Sequence, residues 1–366
     1  RAAANLVGVE RRDLERGTLL ASPGSMTMTD RFLAQLSFPP RSAGEVADRG
    51  AYHVHLGTAT VSVRIRMSAD ADAPSALVTA TRPVPVMMGD RFILRDTGRR
   101  AVIAGGTVLD PSPSRNPNPA DVATLVHAVH LNSDQRADAL VAIHGSIDAS
   151  VVRRSSGGGT PTRAVTVGAR HLSPEVFARR GRELQSAVEE YHDRYPLRPG
   201  LPKSEAASRL RVDAELVAAL VEGNSDLAES GPAVNLVGFV PSLGADDVAA
   251  WETARALLAS DLAVPRASDL GLPAEVTHAL IRRGDLVRIN DDLVLLADQV
   301  ETITAGLNSL PEGFTVAMFR DHFGLSRRHA VPLLEWLDAE GWTRRSGDER
   351  TVSSPRGGSA GDAQPR

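Results

Sequence analysis

From Phe32 to Ile103 the chain runs in short apolar stretches with partial every-second-residue alternation: Phe32–Phe38, Ala51–Leu56, Thr60–Met67, Ala76–Ala80, Arg91–Leu94 and Arg100–Ile103. Gly, Pro and Asp punctuate them, as they do between strands. Strands at this spacing predict a closed all-β barrel or sandwich, because a small open sheet would leave its edges and one apolar face in water. The series stops near Asp110, where Pro111-Ser112-Pro113-Ser114-Arg115-Asn116-Pro117-Asn118-Pro119 follows. So many prolines cannot enter a sheet interior, and they read as a stiff linker and a domain boundary.

Beyond the linker the period becomes helical. Val122, Leu125, Val126 and Val129 recur at three and four residues, as do Leu184, Ala187, Val188 and Tyr191. A larger pattern then repeats: a helix, a second short helix entered through a turn, a third helix and two short strands. One copy is predicted from Val248–Leu258, Ala267–Leu270, Glu275–Arg283, Leu286–Ile289 and Leu293–Leu296, with Asn290-Asp291-Asp292 as the hairpin turn. A later copy uses Val300–Leu307, Val316–Phe323, Arg327–Glu340 and Thr343–Arg345, and a third runs from Arg182 to Phe239. Three helices and a hairpin make a winged helix, and recurrence at about 55–65 residues predicts an array. The first copy, 120–175, has helices expected at Gln135–His144 and Ile147–Arg154, with Gly157-Gly158-Gly159 as a loop tip.

The predicted architecture is therefore multi-domain, an all-β barrel followed by tandem α+β winged-helix domains. Its bounds are a barrel over 26–111, a linker over 112–119, winged helices over 120–175, 176–241, 242–299 and 300–353, and a disordered tail over 354–366. A chain of 366 residues carries two or three domains of ordinary size, or more if they are small.

Composition narrows the chemistry. There is no cysteine, so disulfides, thiolate zinc sites, iron–sulfur clusters and cysteine nucleophiles are excluded. Lys203 is the lone lysine among 41 basic residues, and it sits in Pro202-Lys203-Ser204 with no glycine directly before it. A phosphate-cradling G-x-x-x-x-G-K-[ST] loop is thus absent from the sequence. A formal net charge of −4 argues against general coating of a polyanion, so any nucleic-acid contact must come from local arginine clusters. No apolar run approaches the ~20 residues that cross a bilayer, which leads us to expect a cytoplasmic protein without a membrane partner. His53 and His55 share a strand face, and His127 and His130 a helix face, but neither pair is joined by further metal ligands. Asp70-Ala71-Asp72 lacks the glycine and terminal glutamate of a calcium loop. No catalytic constellation and no metal site emerge.

The strongest local signal lies near the C-terminus. Ser326-Arg327-Arg328-His329 opens a helix whose buried side is expected at Val331, Leu333, Leu334 and Leu337. Ser326 is a natural N-cap, which places two arginines and a histidine on the first turn, where free amides and the helix dipole favour phosphate. Arg344-Arg345 falls on the following wing, so the two arginine pairs are expected to converge on one side of the domain. Glu335, Asp338, Glu340, Asp348 and Glu349 confine any positive patch to a narrow area, which suits a shaped target.

Several of these stretches resemble one family. Asn5-Leu6-Val7-Gly8-Val9-Glu10-Arg11-Arg12-Asp13-Leu14-Glu15-Arg16-Gly17-Thr18-Leu19-Leu20 is similar to the end of the second domain of translational GTPases, so 1–25 is expected to be the truncated end of that barrel. Gly89-Asp90-Arg91-Phe92-Ile93-Leu94-Arg95 and Ala104-Gly105-Gly106-Thr107-Val108-Leu109-Asp110 resemble their third-domain barrel, the latter in the form found in bacterial selenocysteine-specific elongation factors. Leu197-Arg198-Pro199-Gly200-Leu201-Pro202, Phe314–Asp321, Ser326–Asp338 and Thr343-Arg344-Arg345 resemble the later parts of the same family, the last of them its terminal winged helix.

The resemblance implies delivery of selenocysteyl-tRNA to UGA codons on the ribosome, with the winged helices holding an mRNA hairpin. It implies hairpin contacts for Ser326, Arg327, Arg328, His329, Arg344 and Arg345, and tRNA contacts for the barrel, where Arg64, Arg66, Arg95, Arg99 and Arg100 are the candidates. In the family, GTP and Mg²⁺ are held by a domain that would precede Arg1, so this chain is expected to be a C-terminal portion without a cofactor or enzymatic activity of its own, acting as a monomer. Two other readings stay open at this stage. One is a transcription regulator placing tandem winged helices on duplex DNA, and the other is a scaffold in which the winged helices are spacers.

Overall fold

The computed structural model describes residues 6–10, 12, 14–40, 46, 50–68 and 74–353. The tail expected over 354–366 and the Asp70-Ala71-Asp72 loop lie outside the described residues. Within 6–25 the described residues form turns and contribute no strand. The chain divides into two compact units, one of residues 1–184 with 206–224 and the other of 185–205 with 225–366.

The first unit opens with a closed antiparallel barrel. Its strands are β1 (Thr27–Ser37), β2 (Tyr52–Leu56), β3 (Ala59–Met67), β4 (Ser75–Val86), β5 (Arg91–Asp96) and β6 (Ala101–Asp110), in the spatial order β1-β4-β3-β2-β5-β6. Alternate residues point inward: Phe32, Ala34, Val54, Val63, Ile65, Val78, Leu94 and Val108 form one core, in which Phe32 meets the edge of Phe92 with ring centroids 5.7 Å apart. The expected end at Asp110 holds, but two strands are longer than the alternation predicts. β4 runs through Pro83 and Pro85 where β3, which pairs only as far as Ala80, no longer flanks it; β1 is its one partner there, so one side of the strand needs no amide. β6 runs through Gly105 and Gly106, and a Cβ on Gly106 would lie 2.1 Å from the Phe92 ring, so the strand must be bare there.

The barrel wall is not polar all round. Leu33 and Leu109 face outward from their strands and are buried with Met88, Val122, Leu125 and Leu140 under two helices, α1 (Pro119–Ala128) and α2 (Ser133–His144). The linker therefore ends one residue earlier than predicted. Asn118 is the N-cap of α1, its side chain accepting from the Asp121 amide at 2.8 Å, and Pro119 takes the first helical position, where no amide is needed. Asp110, 2% exposed, accepts from the Ser112 amide at 2.8 Å and from His144 Nε2 at 3.0 Å.

The first helical module departs from the predicted pattern. Ile147 and Asp148 belong to a strand, β7 (Ser146–Asp148), and the helix starts later as α3 (Ala149–Ser156), with Asp148 accepting from the Ser150 and Val151 amides at 2.8 and 3.3 Å. β8 (Val165–Val167) and β9 (Arg170–Leu172) complete a sheet in the order β7-β9-β8. Gly157-Gly158-Gly159 is more than a loop tip. Gly157 ends α3 in the left-handed region, and Gly159 lies so close to the α2 start that a Cβ would sit 1.9 Å from the Ser133 carbonyl oxygen. Asp138 then accepts from the Thr162 and Arg163 amides at 2.8 and 2.9 Å, so this segment is a tied loop and not a third helix.

The remaining elements follow the predicted order. α4 (Pro174–Arg194), β10 (Leu201–Pro202), α5 (Lys203–Leu210), α6 (Ala214–Glu222), β11 (Leu227–Ser230) and β12 (Ala233–Leu236) make the second module's sequence of elements. Lys203 ion-pairs with Glu229 at 2.7 Å. In the second unit come α7 (Ala245–Ala259), a 3₁₀ turn at Ala267–Leu270, α8 (Ala274–Arg283), β13 (Leu286–Arg288) and β14 (Val294–Leu296). The terminal module has α9 (Ala297–Gly306), β15 (Phe314–Thr315), α10 (Val316–His322), α11 (Arg327–Ala339), β16 (Thr343–Ser346) and β17 (Glu349–Val352). These last two modules share one apolar core from Trp251 and Leu258 through Val294 and Ile303 to Phe319 and Leu337. Buried Gln299 fastens it, donating from Nε2 to the carbonyls of Leu258 (2.6 Å) and Asp261 (3.0 Å) and accepting from the Leu296 amide.

The His144–Asp110 pair makes stability depend on pH. Burial pulls the His144 imidazole down, but the hydrogen bond and charge of Asp110, with the charge of Asp121, outweigh it and hold it above its ordinary value. A histidine raised in the folded state contributes stability that is complete below its unfolded value and is lost as pH rises through the folded one. The melting temperature of the barrel unit should fall as pH rises through and beyond the ordinary histidine range. In His144→Gln that dependence should be absent, as differential scanning calorimetry at matched ionic strength will test.

Candidate nucleic-acid interface

The terminal module is built around its aromatic residues. Phe314 on β15 and Phe319 on α10 are fully buried with centroids 6.3 Å apart, and Phe323 lies 4.8 Å from Phe319. Thr315 caps α10 through the Met318 amide, and Gly324 turns the chain with φ of +65° into Leu325 and α11. α11 buries Ala330, Leu333, Leu334 and Leu337, while Val331 is only half-buried. Pro332 lies inside the helix and cannot donate to the carbonyl of Arg328, which opens the helix locally.

Ser326 occupies the N-cap position with extended backbone, but its hydroxyl makes no capping bond. It pairs instead with His329 Nδ1 at 2.9 Å, and His329 Nε2 lies 2.9 Å from the Val264 carbonyl oxygen. A carbonyl only accepts, so Nε2 carries the proton and, in the neutral ring, the serine hydroxyl donates to Nδ1. His329 is buried, whereas Ser326 stays exposed and reaches it from the surface. Arg327 and Arg328 are exposed on the first turn of a helix whose side-chain cap is diverted, leaving its amide end open to an anion.

The wing carries its arginines differently from the expected convergence. β16 and β17 pair Thr343 with Val352 and Arg345 with Arg350. Successive strand residues point to opposite faces. Arg345 therefore shares the face of buried Thr343 and Arg350, donating from Nε to the Gly347 carbonyl at 2.9 Å, and Arg344 takes the other face. Both are exposed, one to each side of the wing. The wing itself is clamped to α11 by Asp338, which accepts from Thr343 Oγ1 at 2.6 Å and from Arg350 Nε and Nη2 at 3.0 Å each.

The barrel wall gives a second cationic surface. The register aligns Arg31 on β1 with Thr79 on β4 and Arg64 on β3, all on the outer face, with Arg66 one outward position further along. These residues, with Arg115, Asn116, Ile65 and Leu77, line a groove of about 570 Å³ that has no acidic lining residue. Arg31 Nε is buried there without a partner, and Arg66 donates to the Arg115 carbonyl. Arg64 and Arg66 share one strand face two residues apart, and like charges so grouped repel. Such a row fits a polyanion. Arg31 and Arg115 were not distinguishable in the sequence, because strand pairing aligns Arg31 with Arg64 and only the course of the loop after β6 brings Arg115 to the same groove. Arg95, Arg99 and Arg100 stand apart on the β5–β6 hairpin, where Arg95 donates to the Arg100 carbonyl at 3.0 Å and the Arg99 amide donates to Asp96 at 2.9 Å. Among the described residues no group of three or more His, Asp or Glu side chains could hold a metal ion, and no helix is long and apolar enough to cross a membrane.

A closed antiparallel β-barrel and winged-helix modules thus occur together in this chain. A family model described as "Selenocysteine-specific elongation factor, beta-barrel domain" matches residues 30–115, and two described as "Elongation factor SelB, winged helix" match 185–226 and 307–352. The selenocysteine-specific elongation factor of Desulfomicrobium baculatum is 24% identical over 394 residues, covering 96% of this chain and 62% of that protein. That of Escherichia coli (strain K12) is 24% identical over 295 residues, covering 74% and 48%. The chain thus spans 48% to 62% of the length of these two relatives. The crystal structure of a bacterial selenocysteine-specific elongation factor, EF-Sec, shares the fold with a TM-score of 0.59 at 18% identity, over 96% of this chain and 58% of that one. The chain carries β-barrel and winged-helix domains of the kind these selenocysteine-specific elongation factor (SelB) models describe.

The Asp338 clamp is open to test. Arg350 is 4% exposed, so Asp338→Ala leaves a buried cation unpaired and should lower the stability of the second unit by about 3 kcal/mol. Asp338→Asn, which keeps an acceptor, should cost less. Urea unfolding followed by the fluorescence of Trp336 and Trp342 will read both.

Proposed function

We propose that this chain serves selenocysteine insertion, its terminal winged helix holding an mRNA hairpin while the barrel contributes to delivery of selenocysteyl-tRNA at UGA codons on the ribosome. The observation that carries this reading is the exposed Arg327–Arg328 pair on the open first turn of α11, inside the module that the SelB winged-helix model matches. Two guanidinium forks beside free helix amides suit backbone phosphates, and the wing, with Arg344 on one face and Arg345 on the other, can add one exposed arginine to the contact. RNA sequence is read chiefly at unpaired loop or bulge bases, because the A-form major groove is too narrow for side chains. Ser326 and His329 act indirectly: they fix the helix start that presents the arginines.

In the barrel the arginine groove is the surface that suits tRNA phosphates, with Arg31, Arg64 and Arg66 as its contacts. GTP and Mg²⁺ belong, in this reading, to the part of the relatives' length that this chain does not span, and this chain binds rather than catalyses. It works as a monomer on a ribosome-bound message.

Gel-shift competition tests the hairpin assignment directly. Replacing Arg327 and Arg328 with alanine should weaken binding of an mRNA stem-loop by about tenfold or more and flatten its log–log salt dependence by about 2. Unchanged affinity and slope, or preference for a linear DNA duplex of matched sequence, would overturn it in favour of a DNA-binding regulator. For the barrel, tRNA should bind this chain weakly, at about micromolar Kd, and Arg31→Ala with Arg64→Ala should weaken it further. Nanomolar binding that separates charged from uncharged tRNA would contradict the barrel's auxiliary part.

A further inference from the structure

Another cluster of arginines lies outside both surfaces. Arg170, Arg179, Arg180 and Arg211 line a cleft of about 540 Å³ in the first unit, together with His144 and Asp213. Three separate pieces of chain deliver them. Arg170 follows the Gly168-Ala169 turn of the β8–β9 wing, Arg179 and Arg180 lie on the second turn of α4, and Arg211 sits in the connection between α5 and α6.

Arg211 stands out in its backbone. Its φ is +54°, in the left-handed region, and the other such residues among those described are glycines apart from Arg100. Glycine would take this conformation without steric cost. A side chain kept there despite the cost points to a use for that side chain. Here the side chain is a guanidinium at the edge of a cleft.

The local carboxylates do not cancel the charge. Glu183 pairs with Arg180 at 2.7 Å and Arg179 at 3.7 Å, so one anion serves two cations. Asp213 is committed to α6, accepting from the Leu216 amide at 2.8 Å. Arg170 and Arg211 are exposed and make no ion pair among the described residues. Four guanidinium groups arranged around a concave surface match the planar, bidentate geometry of phosphate oxygens.

We propose that this cleft is a second RNA site, gripping the phosphate backbone of a helical segment independently of the terminal winged helix. The choice of RNA over another polyanion rests on the function proposed above. The first two helical modules are then contact surfaces and not only spacers.

The test uses the full chain carrying Arg327→Ala and Arg328→Ala, and a fluorescein-labelled RNA duplex of about 16 base pairs without a loop. Anisotropy titrations run from about 50 to about 200 mM KCl. Adding Arg170→Gln and Arg211→Gly should lower affinity about five- to tenfold at the lower salt and flatten the slope by about 2. Arg211→Gly alone should weaken binding while its melting temperature stays equal or rises, a pairing that a merely structural arginine would not give. Glu183→Gln, which releases two arginines, should tighten binding about two- to threefold. Unchanged affinity and slope in the folded Arg170→Gln/Arg211→Gly protein overturns the proposal, as does a parent variant that no longer binds the duplex at all. In either case the hairpin assignment is untouched. Conversely, if Arg327→Ala/Arg328→Ala leaves stem-loop binding intact and the cleft substitutions abolish it, the hairpin assignment falls and the cleft stands.

Discussion

Two outward-facing leucines on the barrel hold the first unit together. Leu33 and Leu109 would expose apolar surface if the barrel stood alone, and each buried leucine of this kind is worth roughly 2 kcal/mol of transfer free energy. α1 and α2 cover them, and the buried Asp110 beside them is compensated by His144 at the α2 C-terminus. The arrangement sets a strict condition. Asp110 can remain buried only with its partner in place, so the barrel's last strand and the first helical module must fold against one another. The short run from Pro111 to Asn118 is a bridge between docked bodies more than a free linker. His144 also lines the arginine cleft, so the residue that seats the helices on the barrel shares a wall with a cationic surface.

In the second unit the same logic recurs at the opposite scale of detail. Gln299 and His329 are buried polar side chains, and each is satisfied by backbone carbonyls of the preceding module: Leu258 and Asp261 for the glutamine, Val264 for the histidine. Polar groups without water must find partners, and carbonyls at the end of α7 supply them. The terminal winged helix is thereby fixed to its neighbour through a shared apolar core and directional bonds. A helix so anchored presents Arg327 and Arg328 at a defined position, and a ligand taken up there would lose less binding energy to ordering it than on a loosely tethered module.

Strand and helix positions were legible in the sequence where one face is buried and the other wet. That holds for the barrel strands, for α7 and α8, and for α11, whose expected leucines are its core. The failures have specific causes. β4 passes through Pro83 and Pro85, which is tolerable only once β3 has ended, a fact of pairing that local pattern cannot supply. Gly157-Gly158-Gly159 reads as loose, but Gly159 is required by close approach to the Ser133 carbonyl. Ser326 has the right type and place for a helix cap, yet a histidine three residues on competes for its hydroxyl. Arg344 and Arg345 look like a pair in sequence, and strand alternation separates them. Of the candidate site, the two helix arginines and their exposure were readable, whereas the barrel row and the cleft arise from residues brought together by folding.

The arginine content illustrates why placement matters more than number. With 45 acidic residues against 41 basic ones, the average surface repels a polyanion. Binding then requires that a few cations be freed from carboxylate partners and grouped, and at each candidate surface the structure achieves this by a different means. On α11 the arginines sit on a helix turn without a side-chain cap. On the barrel they stand on β1 and β3, either side of Thr79 on β4, without an acidic lining residue. In the cleft one glutamate is divided between two arginines while a third is held by strained backbone. Each arrangement is unfavourable to the isolated protein, through mutual repulsion or backbone cost. The same arrangements become favourable when phosphates enter, since opposite charge removes the repulsion. Unfavourable placement of like charges is therefore a more informative sign of an anionic partner than basic composition.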